Sequence, residues 1–154
     1  MPTIPLEHDW PGWWAKLELF RPDIEQDMLY FDLDTVVIRM PEVSPSQSLM
    51  LRDFYQPKRP GSGFMYIRHE DKARVWDAWI ANPDIDYRPT RKHWGDQGFL
   101  WDHFQCERWQ DHYPGLVQSY KVDIRAGKPV SAAVVCFHGK PRPWDVKANW
   151  IPEL

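Results

Sequence analysis

LYFDLDTVVI, residues Leu29 to Ile38, is the stretch on which the reading of this chain turns. It is filled with β-branched and aromatic residues, which predicts a strand from Met28 to Ile38. Side chains two apart on a strand share a face. Asp32 and Asp34 are therefore expected to point together, with Leu33 packed on the other side. Apolar residues flank the pair, the pattern of a strand buried on both faces. Two buried carboxylates at that range repel each other and lose hydration. A divalent cation removes both costs. An exposed strand face would remove them as well; the apolar flanks put the cation slightly ahead, although Asp-x-Asp by itself is a weak signal.

The rest of the composition narrows the class. A chain of 154 residues suits one domain, 1–154, with a single core. A net charge of −3 argues against a nucleic-acid binder and against a polybasic membrane anchor. No apolar run is long enough to span a bilayer, and MPTIPLEHDWPGWW has neither the basic nor the apolar region of a signal peptide. Cys106 and Cys136 lie far apart without metal spacing and read as reduced thiols, which places the protein in the cytoplasm. Fifteen prolines predict shaped loops between short elements, and most of the ten tryptophans read as core residues.

Around the acidic stretch, helices and strands alternate. Trp13, Trp14, Leu17 and Phe20 have the spacing of one helix face, closed by Pro22. Residues 39–60 read mostly as loop with an edge strand inside, and GSGFMYI as a strand. EDKARVWDAWIAN predicts a helix with Val75, Trp76, Trp79 and Ile80 inward, stopped by Asn82-Pro83. A polar loop follows from Asp84 to Trp94. GDQGFLWDHF reads as a short helix with Phe99, Leu100 and Phe104 inward, and LVQSYKV and PVSAAVVCFHG as the last strands, before an irregular tail. The alternation defines an α/β protein. In such sheets binding sites form at the carboxyl ends of strands.

Several residues near those ends are candidates. His138, at the end of a strand, is by itself most simply a satisfied loop histidine; beside a carboxylate pair it becomes a candidate third ligand. Two carboxylates and an imidazole suit Mn²⁺ better than Mg²⁺. Lys140 and Arg142 follow, either as a solvated turn or as cations for a diphosphate, with Gly139 permitting close backbone approach. Asp96 and Gln97 follow Gly95, where a carboxylate in the first helical turn is favoured on structural grounds alone. Ser62 and Gly63 lie in a turn or in a place where backbone meets a ligand. Lys16 reads as solvated unless its helix flanks the site. A phosphatase of the haloacid-dehalogenase type also opens with a strand and Asp-x-Asp. Here, however, Thr35 follows Asp34 directly, and Leu100 stands where the later acidic motif needs a second Asp.

Together GWWAKLELFRPDIEQDMLYFDLDTVVI, GSGFMYI, GDQGFLW and VVCFHGKPRPW resemble glycosyltransferases of the GT-A fold, in particular glycogenin, galactosyltransferase-like enzymes and their phage and bacterial relatives. The likeness runs from about Gly12 to Trp144. It implies a mixed sheet flanked by helices, a nucleotide-diphosphate-sugar donor, commonly UDP-linked, Mn²⁺ (or Mg²⁺), and an unidentified acceptor. Asp32, Asp34 and His138 match the family's metal-binding residues. Lys140 or Arg142 matches the basic residue on the diphosphate, beside Gly139. Asp96 and Gln97 match the pair near the transferred sugar, and Lys16 a basic residue before the carboxylate strand. Ser62 and Gly63 fall where the family has Asn-Ser-Gly, although Gly61 replaces the Asn. Trp14 or Trp94 is expected to stack on donor or acceptor. Family members begin with a strand-helix-strand unit that cradles the base, and this sequence starts just before the helix that follows it. The resemblance thus implies an N-terminally truncated GT-A-like domain, a second chain supplying the missing half, or a non-catalytic remnant that binds a sugar or a partner.

Overall fold

The computed structural model describes residues 3–81 and 95–152. The expected polar loop over residues 84–94, its Trp94, and the expected Asn82-Pro83 helix stop lie outside the described residues. The chain divides into two compact units, Met1–Met28 with Ile67–Gln105, and Leu29–Tyr66 with Cys106–Leu154. Among the described residues the elements are helices and two small mixed sheets, a mixed α/β protein. No helix among them is long and apolar enough to cross a membrane.

The first unit is built on aromatic residues. Gly12–Phe20 forms a 3₁₀-helix, which buries Trp14, Leu17 and Phe20. With three residues per turn, positions 14, 17 and 20 fall on one line. Trp13, expected on the same face, is left on the outside and is exposed. Helix α1 (His69–Ile80) buries Lys72, Val75 and Trp79, one stripe at helical spacing. Trp76 is only half-buried and Ile80 is exposed, a narrower face than the sequence suggested. Helix α2 (Asp96–His103) buries Phe99 and Leu100. Trp79 joins the three: it stacks on Trp14 at 4.9 Å and meets Phe99 edge-on at 5.3 Å. Trp14 is therefore core and not a free stacking platform. Lys72 is fully buried, and its ammonium donates to the carbonyls of Ile24 (2.7 Å) and Gln26 (2.8 Å). The first N–H of α1, on His69, is taken by Asp27 Oδ1 at 2.7 Å, satisfying one of the orphan donors of a helix start.

The second unit holds both sheets. The first runs β1-β4-β3-β5, from β1 (Met28–Phe31), β3 (Leu49–Arg52), β4 (Pro60–Ile67) and β5 (Glu107–Arg108). The second runs β2-β7-β6, from β2 (Thr35–Val37), β6 (Val117–Ser119) and β7 (Val134–Cys136). Leu49, Leu51 and Phe64 pack with Trp109, Val134 and Cys136 in one core. Val135 and Phe137 point the other way, into a cluster with Val36, Tyr120 and Trp150. Strand β7 is thus covered on both faces, which explains the unbroken apolar run of its sequence.

Four sequence expectations are corrected. The single strand Met28–Ile38 is two strands in different sheets, with Asp32-Leu33-Asp34 as the turn between them. Thr35 N–H closes that turn on the Asp32 carbonyl at 2.9 Å. Leu33, expected to pack, is 93% exposed. Aspartate is a turn former and is depleted in strands, so the two acids break the strand they were read into. Strand β3, expected at an edge, lies between β4 and β5. After Ser119 the expected strand winds into one π-helical turn, Tyr120–Ile124.

Candidate functional site

In the second unit, pairing of β2 with β7 brings together residues a hundred positions apart. The strands run antiparallel with Thr35 opposite Cys136. One further bond, Phe137 N–H to the Asp34 carbonyl at 3.0 Å, carries the ladder up to the acidic turn. The chain then reverses over Asp34 through two residues of positive φ, His138 at 39° and Gly139 at 100°. Glycine alone adopts this conformation freely. The reversal aims the Gly139 N–H at Asp34 Oδ2, 3.0 Å away, and Arg142 forms an ion pair with the same oxygen. Asp34 is only 7% exposed. Its charge is met by a backbone donor and a guanidinium, the strong kind of hydrogen bond.

Asp32 sits at the other end of the turn. Its Oδ1 accepts from the Tyr30 hydroxyl at 2.6 Å, and its N–H donates to the Gly63 carbonyl at 2.9 Å. Thr35 Oγ1 donates to the same carbonyl at 3.2 Å. A side chain on Gly63 would place Cβ 3.5 Å from Asp32 Oδ2, so Gly63 does lie beside the acidic turn. Ser62 is fully buried, and strand alternation puts it on the opposite face of β4.

His138 is held tightly. Its Nε2 lies 2.6 Å from Ser119 Oγ, its ring stacks on Phe54 at 5.1 Å, and Tyr55 meets it edge-on at 5.4 Å. Lys121 Nζ donates to the His138 carbonyl at 2.9 Å. Burial, and then the Lys121 charge, push the imidazole below its ordinary pKa, against the pull of Asp53 and Asp34. It is thereby favoured in the neutral form that a metal ion uses. Lys140 is exposed on the following turn.

In donor chemistry Asp32, Asp34 and His138 suit a hard divalent cation. Their arrangement is a different matter. Asp34 faces Arg142 and Gly139, Asp32 faces Tyr30, and the His138 ring faces Ser119. Among the described residues no three His, Cys, Asp or Glu side chains are gathered to hold a metal ion. Positive charge at Asp34 is supplied by the protein itself.

The remaining candidates belong to the first unit. Lys16, read as solvated, is largely buried and pairs with Asp96 Oδ2 at 3.1 Å. Asp96 opens α2 after Gly95, whose φ of 59° favours glycine; a Cβ there would lie 2.3 Å from the Trp13 indole nitrogen. Gln97 follows, half-buried.

Sequence reasoning missed Ser119, Lys121, Phe54, Tyr55 and Tyr30. Tyr30 carried a signal, two positions before Asp32 on the same strand face. The others come from distant segments and have none. Among known proteins, no family model and no curated sequence matches the chain.

Proposed function

We propose that this chain is a GT-A-type glycosyltransferase that moves a sugar from a nucleotide-diphosphate donor, UDP-linked by resemblance, to an acceptor still to be identified. The observation that carries the reading is the meeting of the acidic turn at Asp32 and Asp34 with the glycine-bearing, cationic loop of residues 138–142. A carboxylate facing a basic loop suits a ligand that combines anionic oxygens with a cation. In this reading Asp32, Asp34 and His138 would hold Mn²⁺ (or Mg²⁺), which when bound neutralises charge on the departing diphosphate as a Lewis acid.

The protein's own groups do the rest. Arg142 and Lys140 add positive charge at the phosphate oxygens, where charge develops as the bond to the sugar breaks. Gly139, with no Cβ, lets the backbone come close to the diphosphate. Within the first unit, taken by itself, Lys16 holds the Asp96 carboxylate, the residue that the resemblance pairs with Gln97 for sugar hydroxyls.

The test is hydrolysis of UDP-glucose and UDP-galactose in the presence of Mn²⁺, read as UDP release. Asp34→Asn is expected to lower the rate about a hundredfold or more, the scale of losing a group that positions charge in the transition state. Undiminished turnover in that variant removes the metal role from Asp34. A second reading, a non-catalytic domain that binds a sugar or a partner, is favoured by one observation: Arg142 already satisfies Asp34. Calorimetry with UDP-sugar and Mn²⁺ separates the two, because the enzyme takes up both together and the binding domain does not.

A further inference from the structure

We infer that Trp13 is a stacking platform for a pyranose ring: Gly95 holds its indole at the start of α2, next to the polar groups of Asp96 and Gln97. This rests on the reading proposed above and deepens it by naming a residue that receives the sugar. It lies wholly within the first unit and involves no metal ion.

Local geometry builds the platform. At three residues per turn, Trp13 and Lys16 fall on one line of the 3₁₀-helix, beside the line that carries Trp14, Leu17 and Phe20 into the core. The line of Trp13 meets two consecutive residues: Lys16 pairs with Asp96, and the Trp13 indole lies on Gly95. The atoms nearest to a Cβ built on Gly95 are the indole Nε1, Cε2 and Cδ1, so the five-membered ring rests against the backbone there. Any side chain at position 95 would take the place of the indole, and the φ of 59° favours glycine as well. Contact with backbone fixes the ring, yet Trp13 stays 47% exposed, whereas its neighbour Trp14 is buried in the core.

The chemistry beside the indole selects the occupant. The face of an aromatic ring carries negative charge density, which attracts the polarised C–H bonds on one face of a pyranose. The hydroxyls at the edge of the same sugar need donors and acceptors, because burying them unpaired is costly. Gln97 supplies both from one amide. It is half-buried, and its amide bonds to none of the described residues. Between Gly95 and Gln97 stands the Asp96 carboxylate, held by Lys16. A purely apolar partner would leave the Gln97 amide unsatisfied. A ring that is apolar on its face and polar at its edge satisfies both groups.

The experiment is a titration of the whole chain, without nucleotide or metal, with methyl β-glucoside, methyl β-galactoside, maltose and lactose, followed by saturation-transfer nuclear magnetic resonance. At least one of the four is expected to bind, with saturation strongest on its ring C–H protons. Trp13→Ala is expected to weaken that binding about tenfold, the scale of losing one stacked ring, and Trp13→Phe to keep most of it. Gln97→Ala is expected to weaken it about threefold or more, the scale of one hydrogen bond. A melting curve checks the fold of each variant. Trp144→Ala, at a still more exposed indole in the second unit, is expected to bind as the wild type does. Unchanged binding by folded Trp13→Ala or Gln97→Ala overturns the platform. An equal loss in Trp144→Ala overturns it too, since exposure alone then accounts for the effect. So does failure of the wild type to bind any of the four sugars. UDP release in the presence of Mn²⁺ tests the transferase reading separately, so the two can fail independently.

Discussion

Gly139 stands at φ 100°, and the bond from its N–H to Asp34 depends on that angle. Gly139→Ala is expected to destabilise the protein by about 1–2 kcal/mol, the cost of a left-handed conformation to an L side chain, measured by urea unfolding. The new methyl would also come within 3.3 Å of Lys121 Nζ, a flexible end that can give way. The sequence offered Gly139 as a point of close backbone approach to a diphosphate; the bond from its N–H to the Asp34 carboxylate was not legible there. Lys72 is a second informative residue. Burial lowers its pKa from the ordinary 10.5, while Asp27 and Asp23 pull it back up. The unfolded chain then holds this proton to higher pH than the folded one, so stability rises with pH from the lowered value up to about 10.5 and is flat below it. A neutral amine still has two N–H groups for Ile24 and Gln26. Lys72→Met is expected to lose that alkaline gain, seen as a flatter curve of unfolding free energy on the alkaline side, up to about pH 10.5. Two carbonyls left without their donor make the variant less stable at neutral pH by about 1–3 kcal/mol.

Among the elements, β4 and the short helix α3 (Trp109–His112) show how much one side chain can join. Trp109 is fully buried, stacks on Phe64 at 4.3 Å and donates its indole N–H to the Phe64 carbonyl at 3.2 Å. Trp109→Ala is expected to cost about 3–5 kcal/mol, the range for emptying a large aromatic site, read from the shift of the urea midpoint. The elements themselves were legible to different degrees. Helices α1 and α2 follow from apolar spacing, although the stripe that packs in α1, Lys72, Val75 and Trp79, is not the full apolar face that the sequence displays. Strand β4 follows from its aromatic and β-branched residues. The acidic stretch misled because Tyr30, Phe31, Val36 and Val37 supply strand character on both sides of a turn. Which sheet each half joins is decided by partners at residues 60–67 and 134–136, far along the chain.

For the molecule as a whole, the two thiols offer a check on the core. Neither Cys106 nor Cys136 is in a disulfide. Burial pushes the Cys136 thiol up to about 12, while Cys106 is only half-buried. Native protein at pH 8 is expected to take up one equivalent of an alkylating reagent quickly, at Cys106, and the second only on unfolding, counted by mass spectrometry. Loss of both thiols at equal rates in native buffer would contradict the packing of β7. By itself the sequence determined the mixed α/β class, the helices α1 and α2, the apolar strand that became β7, and the short list of acidic and basic residues worth examining. These are local properties, written in spacing and side-chain type. Only the tertiary structure decided that Asp32 and Asp34 cap a turn, that Arg142 and Gly139 close over Asp34, and that Ser119 holds His138. Those contacts join segments up to 108 positions apart, and backbone pairing between strands, not any nearby motif, sets which residues meet.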